Sequence, residues 1–472
     1  VIVRASEWTS SEVASAVSGR LHGEPGRAIA GVATDTRDAL AGHLFVALSG
    51  ARFDAHDFLE QAVAQGAAAL LVRQGLPAAR VAALAAQAAV IEVDDTLRGL
   101  GLLAQAHRRR LGTRPRVVAL TGSNGKTSTK EMLAAVLAEH GAVHKTEGNL
   151  NNWIGMPLTL LGARADHDFV VLELGMNALG EIAWMTALAQ PDVGLVTNVG
   201  PAHVGELGGL ANVARAKGEL YAGLAPTAIA VVNVDDARVV EQAAARRWQR
   251  TFGWDERADV RVLSSVPSGA DAQVLTLSID GDVRDCALPY PGAHNATNAA
   301  GAVAAATAVL GGAVDLDAVV RGLAAAPRAH GRLESHAVGA WQVVDDAYNA
   351  NGASMLAAIA TVSAQAKARG ARFVAVLGEM RELGEYAAAE HARVGAALGP
   401  AGCAVLASFG ALAAPLAGAA SGVPRVRHED ADEVALASWL LGELAPGDVI
   451  LVKGSRGIRM ERFIRRLEEV AG

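Results

Sequence analysis

The sequence predicts an α/β fold of three units: an N-terminal mixed α/β unit, a central doubly wound parallel sheet with a small side sheet, and a C-terminal Rossmann-like unit. Three observations predict it. Apolar runs rich in Val, Leu and Ile alternate with Ala-rich helical stretches over most of the 472 residues, the pattern of strands buried on both faces by crossover helices. Hydrophobic residues make up 51% of the chain and aromatic residues only 4%, which suits helices packed on buried strands and leaves ample core without staples. Breakers at Gly112-Thr-Arg-Pro115 and Pro327-Arg-Ala-His-Gly331 divide the alternation into 1–113, 114–328 and 329–472.

Taken in order, the first unit has strand candidates at 42–48 and 68–72 and a helical stretch at 58–65. The run 82–91, interrupted by Gln87, reads as a buried helix, and Arg108-Arg-Arg110 closes the unit. The central unit has strand candidates at 117–121, 169–174, 193–198 and 228–233, and alternation of this kind places ligands at strand C-termini. Residues 259–288 are strand-rich, like a side sheet, and the Ala-rich 301–309 is a good helix former. In the third unit 341–344, 373–377, 404–407 and 448–452 are strand candidates.

The formal charge of −7 without a dense basic run argues against a nucleic-acid surface. No apolar run is long enough to span a bilayer, and the first residues lack a basic-then-apolar signal pattern. Cys286 and Cys403 have no ligand neighbours at metal spacing, as expected of reduced thiols in a cytoplasmic protein. Small-molecule partners and a monomer are expected.

Val117 to Lys130 passes from an apolar run through Thr-Gly-Ser-Asn-Gly-Lys-Thr-Ser into a helix-forming stretch. Gly122 and Gly125 free the backbone to turn its N–H groups toward anionic oxygens at the positive end of that helix. Lys126 would reach terminal phosphates and Thr127 would ligate Mg²⁺. Leu120 stands five residues before Gly125, so the loop is two residues shorter than the usual P-loop. A Gly-Lys-Thr also fits an ordinary helix start, but two later segments offer the metal ligands that a phosphate loop needs.

Glu173 ends the run Asp168-Phe-Val-Val-Leu-Glu-Leu174 and brings a hard oxygen ligand to the edge that carries the loop. His203 lies in Thr197-Asn-Val-Gly-Pro-Ala-His-Val-Gly205, off the same edge, and is either a surface residue or a ligand. Lys217 sits amid small apolar neighbours, where desolvation would leave a reactive neutral amine. Asn295 and Asn298 open an Ala-rich helix, either as caps or as amides pairing with a purine edge. Arg332, just past the hinge, can fold onto a γ-phosphate on domain closure, and Asp346 can take a ribose hydroxyl. Lys453 and Arg456 leave a strand end where a substrate carboxylate could meet them.

In this order the segments resemble the Mur ligase family of bacterial cell-wall synthesis, whose phosphate loop has the short form Gly-x-x-Gly-Lys-Thr. The resemblance extends over nearly the whole chain. Glu147-Gly-Asn-Leu-Asn-Asn-Trp-Ile-Gly-Met-Pro-Leu-Thr159, Asp345-Asp-Ala-Tyr-Asn-Ala-Asn351 and Val376-Leu-Gly-Glu-Met-x-Glu-Leu-Gly-Glu385 resemble the member that joins D-alanyl-D-alanine to a UDP-linked tripeptide. Ala347, Gly352 and Glu379 depart from its usual Ser, Pro and Asp. The resemblance implies acyl-phosphate ligation: ATP phosphorylates the tripeptide carboxylate, and the dipeptide amine attacks. It implies that Gly122, Ser123, Asn124, Gly125, Lys126, Thr127 and Ser128 cradle ATP, that Lys126 and Arg332 screen the γ-phosphate, and that Asn295, Asn298 and Asp346 hold adenosine. One Mg²⁺ falls to Thr127 and Glu173, and a second to His203 and a carbamylated Lys217. Thr34, Arg37 and His56 resemble the UDP-sugar pocket of residues 1–113. Asn149, Asn151, Asn152, Tyr348, Asn349, Asn351, Lys453 and Arg456 are the remaining substrate candidates, the last five in the dipeptide-binding unit 329–472. A sister ligase of the same fold would share every ATP residue, but the Asn149–Asn152 loop argues against it. A nucleotide switch would have no use for a second metal site at Lys217.

Overall fold

In the computed structural model, which describes residues 2–3, 8–50, 53–269 and 271–471, three large sheets follow one another along the chain, beside two small two-stranded ones in the first unit. The first orders its strands Ile2–Val3, Val32–Ala33, Leu44–Val46, Ala69–Arg73, Ala89–Val93 and Arg20–His22. Its inner pairings are parallel and its two outer pairings antiparallel, hence mixed. The run 82–91 is not one helix. Helix Ala78–Ala85 ends there, Gln87 turns back on Leu84, and β-branched Val90, Ile91 and Val93 continue as a buried strand.

Arg108-Arg-Arg110 is the last turn of helix Thr96–Arg110, where cations meet the negative end of the helix. Buried Arg108 donates to Ala189 O and Gly112 O, which fastens this helix to the central unit. Gly101 on the same helix leaves room for Trp184, whose ring stacks on Trp153 at 5.0 Å. That stack supports the loop holding Asn149 to Asn152.

The second sheet has nine strands, ordered Val143–Lys145, Phe169–Glu173, Arg116–Thr121, Val193–Val196, Ile229–Asn233, Gln249–Gly253, Val260–Ser268, Ala272–Ile279 and Asp282–Leu288. The expected side sheet is therefore not separate: Phe252 pairs with Val260 and Gly253 with Arg261, so the antiparallel strands extend the parallel sheet at its edge. Helix Ala293–Leu310, Ala-rich and buried along nearly its whole length, covers one face. The third sheet orders Glu334–Val338, Trp341–Asp346, Val449–Lys453, Phe373–Gly378, Cys403–Phe409 and Arg425–Glu429, all parallel except its first edge strand. One buried apolar cluster runs from the first sheet through the central sheet into the third. It brings the strand C-termini of the second and third units to a common cavity.

Candidate active site

Gly125 caps helix Lys126–Ala138 at φ 79°, and a Cβ there would stand 2.2 Å from Asn298 Oδ1. Only glycine fits this approach. Gly122, at φ 150°, would likewise bring a Cβ to 1.8 Å from Thr197 Oγ1. The loop after strand Val193–Val196 grips the phosphate loop: Thr197 Oγ1 donates to Asn124 O at 2.6 Å, Asn198 Oδ1 accepts Asn124 N–H at 3.0 Å, and Ser123 Oγ donates to Gly200 O at 3.0 Å. Sequence reasoning missed Thr197 and Asn198 in this role, since their partner lies some seventy residues earlier. Lys126 Nζ donates to Gly122 O at 2.7 Å. Its pKa is lowered, chiefly by loss of water around the ammonium, with Glu173 opposing and Arg332 adding to the shift.

Glu173 ends its strand in register with Leu120 and is buried. Asn151 Nδ2 donates to Oε1 at 2.8 Å and Glu173 N–H donates to Thr146 Oγ1 at 3.0 Å. Among the described residues Oε2 is buried without a hydrogen-bond partner. An unpaired buried carboxylate oxygen is costly, and a hard cation satisfies it. Lys217, on helix Leu210–Ala222, is 1% exposed. Burial, then the charge of Lys126, drive its pKa well below the ordinary lysine value. His203 takes a left-handed φ of 59°, with Nδ1 3.0 Å from Glu382 Oε2 and 3.5 Å from Glu206. The His203 imidazole beside it is the main cause holding the Glu382 carboxyl below its usual range, although among the described residues Nδ1 itself makes no aligned hydrogen bond. The expected metal ligand is thus tied here to a carboxylate of the third unit that the sequence did not single out.

Arg332 Nη2 donates to Thr127 Oγ1 at 3.0 Å while its guanidinium lies 4.4 Å over the Tyr348 ring. Asn351 caps helix Gly352–Ala368 and donates from Nδ2 to Asn124 Oδ1 at 2.7 Å, a second link between the third unit and the phosphate loop. Asp346 and Lys453, paired across neighbouring strands, form an ion pair at 2.7 Å in which both are buried. Burial raises the Asp346 pKa against the pull of Lys453. Lys453 also donates to Asn349 O at 2.8 Å. Its ammonium is thus engaged by Asp346 and Asn349 while it lines the cavity, so the expected incoming carboxylate would have to compete with Asp346 for it. Asn349 Oδ1 accepts Ala350 N–H at 2.9 Å, and Arg456 is exposed outside the cavity wall.

Gly292, not an asparagine, caps helix Ala293–Leu310. Asn295 Nδ2 donates to Pro291 O at 2.8 Å and Asn298 Nδ2 to Asn295 Oδ1 at 3.1 Å, so the two amides face the phosphate loop as a linked pair. His294 beside them was not singled out. Burial, with Lys453 adding to it, pushes its pKa down to about 4, so its ring is neutral at pH 7. The phosphate loop, Ser128, Glu173, His203, Asn295, Asn298, Arg332, Asp346, Tyr348 and Lys453 line one cavity of about 790 Å³ together with Asn149, Asn151 and Asn152. Asn152 Oδ1 is spent as a local cap for Ile154 and Gly155 N–H.

Thr34, Arg37 and His56 lie apart from this cavity. Arg37 is exposed and clasped by Asp35, whose carboxyl it holds at about 2. His56 is buried: Nδ1 meets Asp54 Oδ1 at 2.6 Å and Nε2 accepts Arg73 N–H at 2.9 Å. With both nitrogens engaged, this ring braces the first unit's wall rather than offering a free donor to a nucleotide.

A glycine phosphate loop, a metal-ready carboxylate and a basic residue reaching in from a third unit define an ATP-dependent ligase architecture. The chain belongs to the Mur ligase family: 120–306 match the Mur ligase middle domain, 331–456 the "Mur ligase, glutamate ligase domain", and 28–108 the "Mur ligase family, catalytic domain". It is 40% identical, over 98% of both chains, to the UDP-N-acetylmuramoyl-tripeptide--D-alanyl-D-alanine ligase of Escherichia coli. The crystal structure of MurF from Acinetobacter baumannii superposes with TM-score 0.89 at 33% identity, covering 99% of this chain and 100% of that one. MurF ligase from Thermotoga maritima in complex with ADP matches with TM-score 0.81 at 27% identity over 93% and 97%. Among the described residues no helix is long and apolar enough to cross a membrane.

Proposed function

We propose that this chain joins D-alanyl-D-alanine to UDP-N-acetylmuramoyl-tripeptide with ATP, giving the UDP-linked pentapeptide, ADP and phosphate for peptidoglycan synthesis in the cytoplasm. The observation that carries this reading is the Arg332–Thr127 contact, which closes the third unit over the phosphate loop so that both line one cavity. Residues of one chain line that cavity, and we read the protein as a monomer.

In this reading residues 1–113 hold the UDP-sugar, 114–328 ATP, and 329–472 the dipeptide. Lys126 and Arg332 place positive charge where the transferring phosphoryl group develops negative charge, and the closed cavity keeps water from the acyl phosphate. Thr127 and Glu173 would hold one Mg²⁺; His203, once turned from Glu382, and Lys217 as a carbamate would hold the second. Such ions, when bound, neutralise triphosphate charge. Asn295 and Asn298 would pair with the adenine edge, and Asp346, held by Lys453, would take the ribose. The tetrahedral intermediate formed by amine attack collapses with loss of phosphate. Phosphate release with UDP-linked tripeptide tests the reading: it should require D-alanyl-D-alanine, and release independent of any amine would defeat it.

A further inference from the structure

The hinge holds a second group of ligand-type side chains outside the cavity. His330, Glu334 and Asp345 each offer a donor atom, all within 4.8 Å of one another. Their placement follows from the topology: Glu334 and Asp345 are direct cross-strand partners, so their side chains share one face of the sheet edge, and His330 reaches Glu334 Oε2 at 2.7 Å from four residues away. His336, two residues beyond Glu334, shares that face opposite Val343.

The buried member points to a cation. Asp345 is 5% exposed. Among the described residues its carboxylate receives one hydrogen bond, from Ala347 N–H to Oδ1 at 2.9 Å, and no lysine or arginine pairs with it. Burial pushes its pKa up, opposed by that N–H and by the nearby His330 and His336. A desolvated carboxylate beside a second carboxylate and an imidazole is the composition that a bound cation relieves.

We propose that His330, Glu334 and Asp345 bind a divalent transition cation of the zinc class. An imidazole with two carboxylates neutralises a dication and, through its nitrogen, favours zinc-class ions over magnesium. Such ions hold N and O donors at about 2.0–2.2 Å, so a modest contraction closes the three donors on one ion, and the exposed His330 side leaves a position for water. Binding takes the place of the hydrogen bond between His330 Nδ1 and Glu334 Oε2, the ring N–H then residing on Nε2 at the exposed side. Because Arg332 lies between two of the ligands and Asp346 follows the third, an ion here ties the hinge to strand Trp341–Asp346 and fixes the approach of Arg332 to the cavity.

The test is titration of the full-length, untagged, chelator-stripped chain with Co²⁺, followed by visible absorption, with Mg²⁺ and ADP saturating throughout so that the catalytic cavity is filled. Wild type should bind about one Co²⁺ more than His330→Ala or Glu334→Gln, with a visible band that both variants lose and that Zn²⁺ bleaches. His330 is exposed and Glu334→Gln is isosteric, so both variants should keep the wild-type circular dichroism. Equal stoichiometry and equal spectra in wild type and both folded variants would overturn the site.

Discussion

Arg332 and Thr127 are 205 residues apart, yet the guanidinium of one lies 3.0 Å from the hydroxyl of the other. Tyr348 beneath the guanidinium holds its plane. The third unit thus reaches the phosphate loop through a flat, always charged group, and lysine could not reproduce both the stacking and the forked donors. Arg332→Ala and Arg332→Lys should each lower turnover by about 100-fold, with a smaller effect on ATP affinity. ATP plus tripeptide substrate should compact wild type more than Arg332→Ala in small-angle scattering. Equal compaction by the alanine variant would remove Arg332 from closure.

Lys126 supplies charge at the loop itself. Among the described residues its side chain bonds to Gly122 O in its own loop and to no other unit. Lys126→Ala should reduce ligation by at least ~100-fold with an unchanged unfolding midpoint. Near-normal ligation by the folded variant would take the phosphate loop out of the mechanism.

Core strands such as Phe169–Glu173 and Val449–Lys453 were legible because short apolar runs rich in Val, Leu and Ile have few alternatives to a buried parallel strand, whereas the more polar Val143–Lys145, Gln249–Gly253 and Arg425–Glu429 carried no such run. Residues 82–91 were misread for the same reason that Ala is uninformative: it fits helix and strand cores equally, and only Val90, Ile91 and Val93 carried the β signal. The phosphate loop, Glu173 and Arg332 could be singled out because each stands at a strand end or loop of unusual composition. The Lys453–Asp346 pair and the His203–Glu382 contact could not, since each joins residues more than a hundred positions apart and no local pattern records such a contact. His294 had a visible signal, a histidine beside two amides after Pro-Gly, but its burial belongs to the tertiary structure alone.

That burial has a pH signature. His294 is held at about 4 in the fold against an ordinary value of 6.5. Between these values the unfolded chain binds a proton that the folded chain refuses, so stability is lost as pH falls from about 6.5 toward 4 and is unaffected by this group above that window. His107, His144 and His391 are also lowered by burial, so the readout is a difference. The unfolding midpoint of His294→Asn should fall less steeply with acidification than that of wild type. Parallel slopes for the two proteins would contradict a neutral, buried ring.

Lys217 is expected to carry a carbamate. A cationic lysine beside Lys126 and a triphosphate-bound metal would repel both, whereas its CO₂ adduct is an anionic oxygen ligand. The adduct forms when the neutral amine attacks CO₂ and releases a proton, and burial of the 1% exposed side chain, then the charge of Lys126, shift the lysine toward that amine. Packing is tight on both sides: Ala214 and Ala216 are buried, and a Cβ on Gly218 would meet Gln242 Oε1 at 2.3 Å. Lys217→Ala should be nearly inactive and regain some activity with short carboxylates that fill the vacated space. Wild-type activity should fall when CO₂ and bicarbonate are stripped under mildly acidic conditions and return when they are restored. An unmodified ammonium at Lys217 in a high-resolution map of active, fully liganded enzyme would leave the carbamate without support.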